Sequence, residues 1–261
     1  MSPARVLLFT LWVLMTAFAN GQSMQILAGI QADALNFKVN KGASQTYENV
    51  EFSDSAAFAN SGGVGWIAGI SYMGAPEQVA FKCGLTFSWQ EVRANYSSVV
   101  SDLATGGGNS STRNGTFVDR SAMLELPIQV SIGSPKLRFD IGLAPWILLS
   151  ADHKDSGTQT GFWYIYGHGS GDYSIPYSES NSSLKAYTRY GLSLTGSLIG
   201  QLTQRVSVSV SPSVILLPIY NEQVPYKGHH TQFRFCVGYR LLHKLSETEK
   251  KEREQRKVVG H

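Results

Sequence analysis

The chain has 261 residues and a mass of 28.5 kDa, enough for one large domain or two small ones. Charged residues make up 16% of it, against roughly 25% in an ordinary soluble domain, and the net charge is +3. With Arg5 and the last eighteen residues set aside, the body is electrically neutral, which excludes a basic nucleic-acid-binding surface. Two cysteines exclude a disulfide-stapled mini-fold.

The first segment reads as a secretory signal peptide. Arg5 precedes an apolar run from Val6 to Met15, and small residues follow at Ala17, Ala19 and Gly21. Cleavage is expected after Ala19 or Gly21, so 1–21 is the leader and 22–243 the principal domain. The apolar run is too short for a membrane-spanning helix, and no later stretch of 18 apolar residues exists.

The body then alternates with a period of two, the mark of strands whose faces meet different phases. Weak members come first, at 26–39 and 64–72. Phe81, Leu85, Phe87 and Trp89 next alternate with Lys82, Thr86, Ser88 and Gln90. The clearest segment is 121–133, where Leu124, Leu126, Ile128, Val130 and Ile132 oppose Glu125, Gln129 and Ser131. The pattern recurs over 136–150 (Phe139, Ile141, Leu143), 189–198 (Leu192, Leu194, Leu198), 205–216 (Val206, Val208, Val210) and 232–241 (Phe233, Phe235, Val237). That makes eight strands with no convincing helical period between them.

Connections alternate too. Those at 74–77, 134–135 and 200–203 are short; those near 40–61, 98–118, 152–184 and 220–230 are long and rich in Gly, Ser, Asn and Asp. Short turns alternating with long loops predict an all-β, eight-stranded antiparallel up-and-down transmembrane β-barrel, with periplasmic turns and external loops. A soluble lipocalin-type carrier shares this topology with its apolar face inward. The polar phase here is Ser, Gly, Thr and Gln rather than the Lys and Glu of a solvated wall, which favours the membrane form.

At Met123-Leu124-Glu125-Leu126-Pro127-Ile128 the chain resembles the PorT-like outer-membrane β-barrel family of Bacteroidota. Phe139-Asp140-Ile141-Gly142-Leu143-Ala144-Pro145 and Tyr190-Gly191-Leu192-Ser193-Leu194 are similar to its later strands. The resemblance implies an eight-stranded barrel placed in the outer membrane by the barrel-assembly machinery. Named relatives take part in type IX secretion, so it also implies a secretion-accessory role as one option.

So narrow a barrel fills its interior with its own side chains, and function is expected in the lumen, loops or tail. Glu125 and Asp140 against Arg138, Arg189, Arg234 and Arg240 make a candidate lumen charge network, because buried charges need partners. Phe162, Trp163, Tyr164 and Tyr166 form a candidate external recognition cluster, or else part of an interfacial aromatic girdle. Asp152-His153-Asp155 and His229-His230 suggest a rim acid–base site, the basis of an alternative hydrolase reading. Cys83 and Cys236 differ in alternation phase and are expected to be free, Cys83 outward and Cys236 inward. The Asn-x-Ser/Thr triplets at Asn95, Asn109, Asn114 and Asn181 read as ordinary polar loop sequence.

Residues 244–261 carry a capping box (Ser246, Glu249) and i,i+4 pairs such as Glu247/Lys251 without an apolar face, so a solvated, partly helical periplasmic tail is expected. No enzyme activity, cofactor, metal or nucleic acid is predicted. The expected partners are outer-membrane lipid and lipopolysaccharide, the assembly machinery, and a periplasmic partner for the tail.

Overall fold

The computed structural model describes residues 23–39, 45–47, 50–74, 79–102, 110–134, 136–165, 169–182, 184, 187–217 and 226–243. The expected leader and tail lie outside the described residues. So do Asn109 and Tyr166.

Eleven strands follow in chain order: β1 (Ser23–Val39), β2 (Gln45–Tyr47), β3 (Val50–Met73), β4 (Val79–Asp102), β5 (Ser110–Glu125), β6 (Ile128–Gly133), β7 (Leu137–Ile165), β8 (Gly169–Asn181), β9 (Tyr190–Gln201), β10 (Val206–Ile215) and β11 (Tyr226–His243). Every pairing is antiparallel, and the ring runs β1–β3–β4–β5/β6–β7–β9–β10–β11 and back to β1. β5 and β6 occupy one position in the wall, interrupted at Leu126-Pro127. Pro127 has no N–H for the ladder, but its carbonyl still accepts from Gly84 N at 3.0 Å, and Leu126 N reaches Pro145 O at 2.9 Å. The wall is therefore an eight-position barrel. β2 and β8 lie outside the ring, pairing with β3 and β7.

The short turns are built by local chemistry. Gly133 takes a φ of 135°, a region that suits only glycine, and Ser134 Oγ accepts Leu137 N at 3.2 Å. In the next short turn Thr203 Oγ1 accepts Arg205 N at 3.2 Å and Val206 N at 3.0 Å.

The wall has its polar face inside. Along β7, Arg138 and Asp140 are buried, whereas Phe139, Ile141, Leu143, Ile147 and Leu149 stand exposed on the outer surface. β11 repeats this, with Gln232 and Arg234 inward and Phe233, Phe235, Val237 and Tyr239 outward. An apolar exterior around a polar interior reverses the lipocalin arrangement and is the arrangement of a barrel solvated by lipid. The outward apolar run from Leu137 to Leu149, tilted as barrel strands are, covers about 30 Å along the barrel axis. Trp66 and Tyr190 mark one border of this band, and Tyr239, held by Arg205 Nη1 at 3.1 Å, marks the other.

The strands are longer than the alternation predicts. Most of 50–61, 98–118 and 152–184, expected as loops, is strand: β3, β4, β5, β7 and β8 continue past the apolar band on the long-connection side. Asn95, Asn114 and Asn181 accordingly lie on strands rather than loops. The cause lies in the solvent. Beyond the band the outer face meets water and turns polar while Val92, Ala94 and Phe117 are buried on the inner face, so the apolar phase changes sides and the pattern that marks the wall breaks while the backbone ladder goes on. On β4 the outward series changes there from Phe87 and Trp89 to Glu91, Arg93 and Asn95.

Candidate functional site

The lumen is packed in layers. Nearest the short turns, Lys82 Nζ donates to Asp140 Oδ2 at 2.7 Å, and Arg138 binds Ser131 through Nε at 2.8 Å (to Oγ) and Nη2 at 3.2 Å (to the carbonyl). Arg240 Nη2 donates to Gln201 Oε1 at 3.0 Å.

The next layer is a continuous polar chain. Arg234 forks onto Glu125, with Nη1 2.8 Å from Oε2 and Nη2 on Oε1, and Nη2 also reaches Gln232 Oε1 at 2.5 Å. Gln232 and Gln31 both donate to Gln90 Oε1 at 2.9 Å, and Gln31 reaches Asp33 at 3.3 Å. These side chains come from β1, β4, β5 and β11 and are nearly inaccessible to solvent. They cross the lumen and fill it.

Above them lies an apolar cap of Met123, Trp146, Leu148, Ala151, Tyr187 and Ile215. Trp146 lies so close to β9 that any Cβ at position 191 would run into its ring, so Gly191 is required there by space. A register shift between Ala122 and Met123 accompanies a change of phase in β7: Leu148 is inward before it, and Ala151 and His153 after it.

Beyond the band the interior holds polar groups beside a second buried apolar cluster of Val92, Ala94 and Phe117, with Tyr96 packed against it. His153 Nδ1 lies 2.5 Å from Asp119 Oδ1, which also accepts the Tyr187 hydroxyl at 3.0 Å, and Phe117 lies 5.7 Å from the imidazole. Burial opposes a charge on His153. The hydrogen bond to Asp119 and the carboxylates of Asp119, Asp155 and Asp152 outweigh it, and its pKa is raised above the ordinary value. Higher still, Tyr96 donates to Asp155 Oδ2 at 2.7 Å, so its oxygen is left to accept from Tyr177. Burial, then these bonds, raise the pKa of the Tyr96 hydroxyl. Arg113 stacks over the Tyr177 ring at 5.2 Å. On the outer face Glu91 is shared by Arg93 at 2.7 Å and Arg120 at 2.8 Å, and these bonds lower its pKa.

Of the six candidate lumen charges, Glu125 meets Arg234 directly. Asp140, Arg138 and Arg240 face the lumen nearer the short turns. Arg189 does not join them: it is exposed in the bend before β9, whose first residue is Tyr190. Asp140 is instead matched by Lys82, which occupies the polar phase of β4 and was legible there as an inward cation. Phe162, Trp163 and Tyr164 lie near the tip of β7, opposite Ser110 and, across the other ladder, Gly171 and Ser170. That stretch of β7 lies past the outward apolar run that ends at Leu149. His153 and His230 are both inward, and His230 is buried. Cys83 and Cys236 are free and buried; the outward phase of Cys83 does not expose it. Among the described residues no cluster of three or more His, Cys, Asp or Glu could hold a metal.

A lumen closed by side chains leaves no aqueous channel. The wall is a transmembrane β-barrel. No protein-family model matches the chain, and no curated protein does. Solved structures similar to it include Ail, the attachment invasion locus protein of Yersinia pestis, in complex with the heparin analogue sucrose octasulfate (9% identity, 85% of this chain and 99% of that one, TM-score 0.38). Others are the translocator domain of the autotransporter NalP from Neisseria meningitidis (11%, 87% and 91%, TM-score 0.21) and the Pseudomonas putida toluene transporter TodX (9%, 89% and 92%, TM-score 0.19).

Proposed function

We propose that the protein is a non-enzymatic bacterial outer-membrane barrel whose projecting sheet serves recognition at the cell surface. The observation that carries this reading is β8. It is 13 residues long, largely exposed, and paired only with β7 among the described residues. The projection ends in Phe162 and the neighbouring aromatics, and a rigid sheet edge of this kind recognises extended chains through its main-chain groups. A filled lumen leaves diffusion out of the account.

Export by the 1–21 leader, periplasmic short turns and termini, assembly by the barrel machinery, contact with lipid and lipopolysaccharide, and docking of 244–261 to a periplasmic partner complete the proposal. The likeness of Leu124–Pro127 to PorT-like barrels supports a narrower form, a secretion-accessory role. Whole-cell adhesion to immobilised protein and glycan surfaces tests the recognition reading. Shortening the β7–β8 tip, or replacing Trp163 and Tyr166 by Ala, should abolish adhesion while the barrel stays heat-modifiable; unchanged adhesion overturns it.

The contact between His153 and Asp119 favours one second reading, an acid–base pair of a rim hydrolase. Esterase and protease activity lost in His153→Ala would establish it, and a flat response in the unaltered protein retires it.

A further inference from the structure

The outer wall carries a belt of charge where the apolar band gives way to the projecting sheet. Moving out from the band, the outward series on β4 passes from Trp89 to Glu91 and Arg93. On β5 it passes from Leu124 and Ala122 to Arg120, and on β7 from Leu149 to Asp152 and Lys154. Arg189 stands exposed beside Tyr190, at the start of β9. Four cations therefore meet two carboxylates among the described residues of this border. Glu91 serves two of the four. Arg93 donates to its Oε1 through Nε at 2.9 Å and Nη2 at 2.7 Å, and Arg120 to Oε2 through Nε alone at 2.8 Å. One carboxylate thus sets two guanidiniums side by side, and both Nη groups of Arg120 are left for a further acceptor. Lys154 and Arg189 form no ion pair with any described residue. The belt is also one-sided: toward the same border Ala32 and Ala34 on β1, Val214 on β10 and Thr231 on β11 are uncharged.

We infer that this belt docks the phosphorylated head group of lipopolysaccharide, an inference that rests on the outward placement of the projection proposed above. A partner that meets the apolar band and the cations together must join acyl chains to an anionic head. Phosphate fits the excess of positive charge, and its oxygens suit the free prongs of an arginine. Cations on one side of the wall select a place for that lipid, where an even girdle would only set the depth of the barrel.

The test uses the full chain purified from membranes in a neutral detergent. Retention of bis-phosphorylated lipid A is measured by native mass spectrometry against the same lipid A stripped of its phosphates. The phosphorylated form should be retained selectively. Lys154→Gln and Arg189→Gln should each lower that retention about fivefold, while Lys136→Gln, at the short-turn end, should leave it unchanged. Neither Lys154 nor Arg189 is bonded within the described fold, so both variants keep the barrel, which heat-modifiability on gels verifies. Equal retention of the two lipids, or retention indifferent to both substitutions, overturns the inference. Labelling of Thr158→Cys on intact cells by an impermeant maleimide separates the two readings: a labelled cysteine with no selective retention removes the lipid site alone, and an unlabelled one removes the outward placement and the lipid site with it.

Discussion

Arg234 on β11 and Glu125 on β5, 109 residues apart in the chain, meet inside the lumen in a two-pronged ion pair with almost no access to solvent. Removing either partner leaves a buried charge uncompensated. Glu125→Ala or Arg234→Ala should each cost about 3–5 kcal/mol, read as a fall in the urea midpoint of the folded barrel in lipid. Replacing both together should cost less than the two losses added. Strict additivity would show that the pair does not act as a unit.

The wild-type protein should show no steady conductance in planar bilayers. Truncating Gln90, Gln232 and Arg234 to Ala together with Trp146 of the overlying cap should open a measurable pore, because the polar layer and the cap close the lumen in series. A conducting wild type would refute the plug.

Gly191 lies against the Trp146 ring. Gly191→Ala should overpack the cap, costing about 1–3 kcal/mol, and Trp146→Leu in the same chain should recover part of the loss. The same unfolding assay reads both variants.

Lipid contact is testable on the outer wall. Ile141→Arg, near the middle of the apolar band, should cost about 2–4 kcal/mol and reduce the heat-modifiable form recovered from membranes. Thr158→Arg, on the projection, should do neither. Equal tolerance at the two positions would remove the case for a lipid-facing wall.

His153 supplies a pH dependence whose sign follows from its partners. Its folded pKa lies above the ordinary 6.5, so its contribution to the projection is complete below about that pH. It is lost as pH rises through the raised value. Protease protection of the β5–β7 hairpin should therefore be greatest in mildly acidic buffer and weaken toward alkaline pH, whereas His153→Ala should show a flat profile. In an NMR titration, Asp119→Asn should bring the imidazole back toward its ordinary pKa.

The sequence carried the wall well. Eight alternating segments and their short turns were readable because lipid on one side and a polar lumen on the other impose a strict two-residue period, as between Phe139 and Asp140. The projection was not readable, because there the outer face turns polar while Val92, Ala94 and Phe117 turn inward, so the apolar phase changes sides and the wall's period does not carry through. The cap hid for the same reason: Met123, Trp146 and Leu148 are apolar and inward, against the general rule of this lumen. Among the charges, alternation supplied the face but not the height along the barrel, so Arg189 read as an inward charge when it lies in the bend before β9.

The seam between β1 and β11 runs through seventeen residue pairs, from Ser23 with His243 to Val39 with Tyr226. The first strand made must therefore wait for the last before either has a full set of neighbours. A chain stopped anywhere before residue 226 has two raw edges and no enclosed interior. Closure of the ring is thus the last step of folding, and until the final strand is in place β1 and β10 each present an unpaired row of amides and carbonyls.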